Sequence, residues 1–83
     1  MPLFMDTHSK IDGLTASAVA NAHNMDLAVQ EKYDVQYLQY WFNEKTGRVY
    51  CLVEAPNAEA AHAVHREAHG LIADDLVEVQ SGE

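Results

Sequence analysis

The sequence has little cysteine, no long hydrophobic run and no convincing export signal. Cys51 is its single cysteine, which excludes an intrachain disulfide and gives no sign of an oxidising compartment. No segment approaches the roughly 20 consecutive apolar residues of a transmembrane helix. The first ten residues, MPLFMDTHSK, have too short an apolar run for a signal peptide, and their lysine follows that run. We therefore predict a cytoplasmic protein without a membrane partner.

Basic residues are also scarce. Five lysines and arginines stand against 13 acidic residues, which gives a formal net charge of −8. After residue 50, Arg66 is the only lysine or arginine. A negative field of this kind repels phosphate backbones, so nucleic-acid binding is not expected. The same field attracts cations without selecting one of them.

Proline is rare, with two residues, while 48% of the chain is hydrophobic. This composition is typical of a folded protein. A chain of 83 residues forms one domain with a modest core, so we predict a single domain over residues 1–83. Because small cores are often supplemented by association, a homodimer is expected.

The hydrophobic pattern predicts four strands and two helices. The predicted strands cover residues 2–8, 35–42, 48–54 and 75–80, and the helices cover residues 15–32 and the segment from Asn57 to Gly70. Thr15 and Asn57 are residue types that cap helix N-termini. Gly70 stands where a glycine commonly ends a helix.

The element order β-α-β-β-α-β predicts a ferredoxin-like α+β sandwich, with an antiparallel sheet and both helices on one face. The segments YLQYWFN and RVYCLVE carry apolar side chains on both faces of their strands. The sheet face opposite the helices therefore also requires a cover. We predict that a second copy supplies it, forming a homodimer through the sheet face.

Three of the five histidines lie in the segment AAHAVHREAHG, residues 60–70. His62, His65 and His69 share one edge of the second helix, and the i,i+4 pair His65–His69 has the spacing of helical metal-binding pairs. One ion bound by all three is disfavoured, because about 10 Å of helix rise separates His62 from His69. Imidazole suits nickel, zinc or copper. The alternative is a solvated helix edge without metal.

The first helix adds a polar row of His23, Asp26 and Gln30. Asp26 falls on the apolar stripe, and a buried carboxylate without a donor or cation is costly. We expect His65 or Arg66 to reach Asp26 from the second helix. This arrangement is equally typical of a hydrogen-bond network between two helices.

Strand ends offer a further possible cluster. Asp6, His8 and Glu54 approach each other if the carboxyl ends of the first and third strands meet at one edge of the sheet. Cys51 lies in an apolar strand without a basic neighbour, which predicts an inert buried thiol.

Three segments together resemble a known family. AHNMDLAVQEKYDVQYLQYWF, GRVYCLVEAPN and AVHREAHGL look like segments of the small nickel-binding ferredoxin-like proteins, formerly a domain of unknown function. The resemblance implies a βαββαβ fold, a homodimer, nickel(II) as the bound ion, and nickel sequestration or detoxification instead of catalysis. The residues that match the family's HREAH motif are His65, Arg66, Glu67 and His69. Those that match its other signature positions are His23, Asp26, Gln30 and Cys51.

We therefore predict a non-enzymatic protein that binds nickel(II) through imidazole and carboxylate groups. The predicted ligands are His65, His69, His62, His23, Asp26 and His8. Two alternatives remain open from the sequence. One is a small dimeric enzyme that uses His23, Asp26 and His65 as general acid and base. The other is a dimerisation module without a ligand.

Overall fold

The protein has the predicted α+β architecture. The structure, a computed structural model, describes residues 1–82. Its elements in chain order are β1 Leu3–His8, α1 Ala16–Val29, a short 3₁₀ helix Gln30–Tyr33, β2 Gln36–Asn43, β3 Arg48–Glu54, α2 Ala58–Ala68 and β4 Asp75–Val79. The predicted number and order of strands and α-helices are confirmed. The first helix ends earlier than predicted, because the chain tightens into the 3₁₀ turn after Val29.

The four strands form one sheet in the order β2-β3-β1-β4, and every neighbouring pair is antiparallel. β1 is therefore bonded on both sides. Its residue Asp6 pairs with Cys51 on β3 and with Leu76 on β4. The antiparallel register places Glu54 opposite Leu3, at the far end of β1 from His8. Glu54 is therefore not part of the expected cluster of Asp6, His8 and Glu54, because antiparallel strands end at opposite edges. Asp6 and His8 do approach each other, with 3.8 Å between Oδ1 of Asp6 and Nε2 of His8.

Both helices begin at the predicted caps. The Oγ1 atom of Thr15 accepts a hydrogen bond from the Ala18 amide at 3.1 Å, and Oδ1 of Asn57 accepts one from the Ala60 amide at 2.9 Å. Each bond satisfies an amide that has no partner within the first helical turn. Gly70 follows α2 with a φ angle of +80°, a conformation that glycine adopts without steric cost.

The core lies between the helices and one face of the sheet. Burial alternates along β1 and β3, so every second side chain of these strands points into the core. The buried apolar residues are Phe4, Leu14, Val19, Val35, Tyr37, Val49, Cys51, Val53, Ala55, Ala61 and Val64. The predicted burial of Cys51 is confirmed.

The opposite sheet face is also apolar. Met5 pairs with Leu52 and Val77 across the sheet, and Trp41 pairs with Tyr50. Trp41 and Val77 are 43% and 48% exposed. Within residues 1–82, this face is not sealed from solvent.

The hairpin between β2 and β3 is tied to the loop before α1. The Ile11 amide donates a hydrogen bond to the Gly47 carbonyl at 2.8 Å. Gly47 has a φ angle of +76°, and a Cβ atom added there would lie 2.8 Å from the Ile11 carbonyl oxygen. A side chain at this position would separate the two loops.

Neither of the α-helices in the described part of the chain combines the length and the apolar character that crossing a bilayer requires.

Candidate metal centre

Within residues 1–82, four aspartate and histidine side chains are buried among the apolar residues of the core. Asp6 and His8 come from β1, Asp26 comes from α1 and His65 comes from α2. Their exposed fractions range from 0% for Asp6 to 6% for His8. Burial of such groups is costly unless they are paired, so their mutual contacts determine what the cluster can do.

His65 bridges two carboxylates. Its Nδ1 lies 2.9 Å from Oδ1 of Asp26, and its Nε2 lies 3.0 Å from Oδ2 of Asp6. Ionised carboxylates only accept hydrogen bonds, so both ring nitrogens donate and the ring carries a positive charge. Burial alone would lower the pKa of His65, but the hydrogen bonds to Asp26 and Asp6 raise it to about 9.

Asp26 also binds His69, whose Nε2 lies 3.0 Å from Oδ1 of Asp26. The backbone amide of Leu71 donates a hydrogen bond to Nδ1 of His69 at 3.1 Å. Because an amide only donates, Nδ1 accepts, and Nε2 carries the hydrogen that Asp26 receives. Burial acts to raise the pKa of Asp26, but the bonds from His65 and His69 lower it overall.

Asp6 is the deepest member of the cluster. The Tyr37 hydroxyl lies 3.3 Å from Oδ2 of Asp6 and 3.1 Å from the Ala61 carbonyl oxygen. Oδ1 of Asp6 has no hydrogen-bond partner, and Nε2 of His8 lies 3.8 Å from it. Because burial lowers the pKa of His8, this ring is neutral near pH 7 and leaves Oδ1 uncompensated.

Cys51 stands beside the same carboxylate. Burial, followed by the negative charge of Asp6, raises the pKa of its thiol. The thiol is therefore protonated at neutral pH and is a weak metal ligand in that state.

These side chains form two groups with the spacing of metal ligands. The first group consists of Asp6, His8, Cys51 and His65, and the second of Asp26, His65 and His69. Within each group the donor atoms all lie within 4.8 Å of one another. His65 belongs to both groups.

The structure distributes the six predicted ligands unequally. It brings His65, His69 and Asp26 together and places His8 in the other group. His23 and His62 belong to neither group of described residues. The ring of His23 packs on Tyr40 with 4.8 Å between ring centroids, and Nδ1 of His62 is buried without a hydrogen-bond partner.

Two other residues of the matched motif make contacts outside the cluster. Arg66 does not reach Asp26 but faces Glu59 at 3.4 Å on the surface. Glu67 accepts hydrogen bonds from Lys32 at 2.6 Å and from the Tyr33 hydroxyl at 2.7 Å, which connects α2 to the 3₁₀ helix.

Gln30 also makes a structural contact. Its side-chain oxygen accepts a hydrogen bond from the Tyr37 amide at 2.8 Å, which connects the 3₁₀ helix to β2.

The predicted ligand list did not include Asp6, which the sequence placed only in the strand-end cluster, or Cys51, which was interpreted as an inert thiol. The alternation in PLFMDTH was the available signal, since it places Asp6 and His8 on the same strand face as the apolar Phe4.

A cavity of about 80 Å³ leads to the cluster and is partly open to solvent. Its lining comes from α1, the sheet, the end of α2 and the loops around them. The lining residues are His8, Ile11, Leu14, Ala18, Val19, Ala22, His23, Asp26, Tyr40, Val49, Cys51, His65, His69 and Leu71. The complete second group therefore borders a space that small solutes can enter.

Comparison with known proteins identifies relatives of the same size. Residues 4–79 match the family model described as "Nickel responsive protein SCO4226-like". The crystal structure of SCO4226 from Streptomyces coelicolor A3(2) superimposes with a TM-score of 0.91 at 40% sequence identity. The alignment covers 98% of this chain and 99% of that one. A search of curated proteins gave no match.

Proposed function

Because the chain belongs to the SCO4226-like family of nickel responsive proteins, we propose that it binds nickel(II) through Asp26, His65 and His69. The observation that carries this proposal is the position of Oδ1 of Asp26. This oxygen lies 2.9 Å from a nitrogen of His65 and 3.0 Å from a nitrogen of His69.

The donor set fits the ion in type and in spacing. Imidazole and carboxylate are suitable nickel ligands. Adjacent ligand atoms of an octahedral ion with bonds of about 2.1 Å lie about 3 Å apart, which matches the two nitrogen–oxygen separations. The hydrogens now held between these atoms have to leave when an ion binds, so nickel uptake releases protons.

An ion from solvent can reach this group more easily than the group around Asp6. Asp26, His65 and His69 all border the cavity, and the His69 side chain is 9% exposed. Asp6 has no exposed surface and does not line the cavity, and its neighbour Cys51 is a protonated thiol. We therefore retain three of the six predicted ligands and propose that His8, His23 and His62 do not ligate nickel.

The wider biological assignment is also a proposal. We propose a cytoplasmic protein of one ferredoxin-like domain that sequesters nickel and so limits its toxicity, without catalysis. The order of elements and of strands supports the fold assignment. The apolar sheet face around Trp41 and Val77 supports a homodimer that buries this face.

One observation favours the enzymatic alternative. His23, Asp26 and His65 line a single cavity, as a general acid–base group would. However, both nitrogens of His65 donate to carboxylates. A proton exchanged with a substrate would have to leave one of these bonds without replacement, whereas a bound ion would replace the bond to Asp26 with ligand bonds. We therefore propose ion binding as the function of this cluster.

Nickel titration calorimetry on three variants tests the ligand assignment. We expect His69→Ala to weaken nickel binding at least tenfold, because it removes one of three protein ligands. His62→Ala is the matched control on the same helix and is expected to bind like the unaltered protein. Cys51→Ala examines the other group. If nickel affinity falls in Cys51→Ala and is unchanged in His69→Ala, nickel would be assigned to Asp6 and its neighbours.

A further inference from the structure

The cavity beside the metal centre has a composition that nickel binding does not require. Apolar residues supply most of its wall, among them Leu14, Val19, Val49 and Leu71. A hydrated ion needs no such surface. An apolar wall with a few polar groups at one end is typical of sites for small organic molecules.

The polar groups lie at the inner end. Asp26 and His65 are 3% and 1% exposed, whereas Leu71 is 43% exposed and lies at the mouth. A molecule in the cavity can therefore place its carbon atoms against exposed apolar residues such as Leu71 and its polar group against the buried Asp26–His65 pair. This arrangement orients a ligand with its polar group inward.

Charge decides which polar group fits. Two carboxylates, Asp6 and Asp26, flank the single ring of His65, so the buried part of the site is rich in hydrogen-bond acceptors. Both ring nitrogens of His65 and Nε2 of His69 already donate to carboxylates. A hydrogen-bond donor is accommodated there, whereas a carboxylate meets repulsion and finds no free donor on these rings.

Size limits the rest of the molecule. A volume of about 80 Å³ holds several waters or a ligand of about five non-hydrogen atoms. We propose that this cavity binds short alkyl molecules that carry one hydroxyl or ammonium group, with that group directed at Asp26. This site is distinct from the nickel assignment in its ligand, and it does not depend on metal.

The test uses three compounds with closely similar carbon skeletons on protein freed of metal by chelation and dialysis. Isobutanol, isobutylammonium and isobutyrate differ mainly in the polar group. Binding is followed through the amide resonances of Val19 and Val49 in two-dimensional NMR spectra. We expect saturable shifts with dissociation constants on the order of a millimolar for the alcohol, the ammonium or both, and none for the carboxylate.

Substitutions at the wall provide the matched comparison. Ala22 lines the cavity, and its neighbour Asn21 is exposed and does not. Ala22→Leu fills the space and should weaken binding about tenfold or more, while Asn21→Leu should leave it unchanged. Ala18→Leu fills the exposed mouth and replaces Ala22→Leu if that variant does not fold.

The outcomes separate clearly. Binding of the alcohol alone or of the ammonium alone supports the site and identifies the preferred donor. Absence of saturable shifts with both compounds overturns the proposal, as does equal binding of isobutyrate. Binding that survives the wall substitutions in folded protein also overturns it. Because no nickel is present, none of these results bears on the ligand assignment for the ion.

Discussion

The backbone amide of Leu71 donates a hydrogen bond to Nδ1 of His69, and this single bond determines which ring nitrogen carries hydrogen. It leaves Nε2 as the donor to Asp26. Metal-bound histidines usually donate their second ring nitrogen to an acceptor. A neutral His69 bound to nickel through Nε2 would carry its hydrogen on Nδ1, facing the amide hydrogen of Leu71. Nickel binding and the Leu71 bond therefore oppose each other.

Nickel is consequently expected to accelerate hydrogen exchange at the Leu71 amide. The Asp74 amide, which binds the Thr7 carbonyl at 2.9 Å, is the control in the same loop and should not accelerate. Mass spectrometry with electron-transfer fragmentation resolves the two positions. Slower exchange at Leu71 with nickel would show that His69 keeps its present hydrogen-bonding state.

Replacement of His65 tests the central ion pair in the metal-free protein. His65→Ala leaves Asp6 and Asp26 buried without their common partner, and we expect the free energy of unfolding to fall by roughly 3–5 kcal/mol. His62→Ala should change it by less than about 1 kcal/mol, since Nδ1 of His62 has no partner to lose. Urea unfolding measures both, and similar losses in the two variants would contradict the bridging role of His65.

The pH dependence of stability follows from the same residue. The pKa of His65 rises from an ordinary 6.5 to about 9 on folding, so the folded state holds this proton more tightly. The resulting stability is fully present below pH 6.5 and is lost as the pH rises through 9. Its size is up to roughly 3 kcal/mol.

Urea unfolding between pH 6 and pH 9.5 measures this decline in the metal-free protein. His8 does not obscure the loss near pH 9, because burial lowers its pKa below the ordinary 6.5 and its own titration lies at the acid end of this range or below it. The decline should be absent in His65→Gln, which has no proton to lose. A decline of the same size in that variant would assign the effect to other groups.

The exposed sheet face predicts an association that a single charge disrupts. Val77→Lys places a charge on this face, where Val77 is 48% exposed, and we expect it to convert the proposed dimer to a 9.2 kDa monomer. Leu27→Lys introduces the same charge on α1, where Leu27 is 42% exposed, and should leave the dimer intact. Light scattering during size-exclusion chromatography determines the mass. A monomeric unaltered protein would refute the dimer outright.

Local signals in the sequence were sufficient for the number and order of the elements and for the starts of both helices, but not for the end of the first helix. Thr15 and Asn57 were identified as caps because a capping side chain bonds an amide only three residues later in the chain, which is a local contact. The partner requirement of Asp26 also followed locally, since its position on the apolar stripe of a helix predicts burial.

The site itself depends on contacts that no local pattern contains. Asp6 and His65 are 59 positions apart and meet only because α2 packs across β1. Glu54 was wrongly grouped with His8 because β3 runs antiparallel to β1. The alternation of apolar and polar residues in a strand does not reveal its direction relative to its neighbour. The tautomer of His69 depends on a loop amide two residues later, and no pattern in the sequence predicts that bond.

The two carboxylates around His65 differ in how far they can adjust. Asp6 lies on a strand bonded on both sides, so its backbone cannot shift without disturbing the sheet. Asp26 lies on a helix, and His69 lies at the end of α2 beside Gly70. The ligands around Asp26 can therefore adjust their distances to the bound ion. At Asp6 the strand restricts that adjustment. Discrimination between nickel, zinc and copper by size would consequently be weak at Asp26, and the abundance of each metal in the cell would decide which one the protein carries.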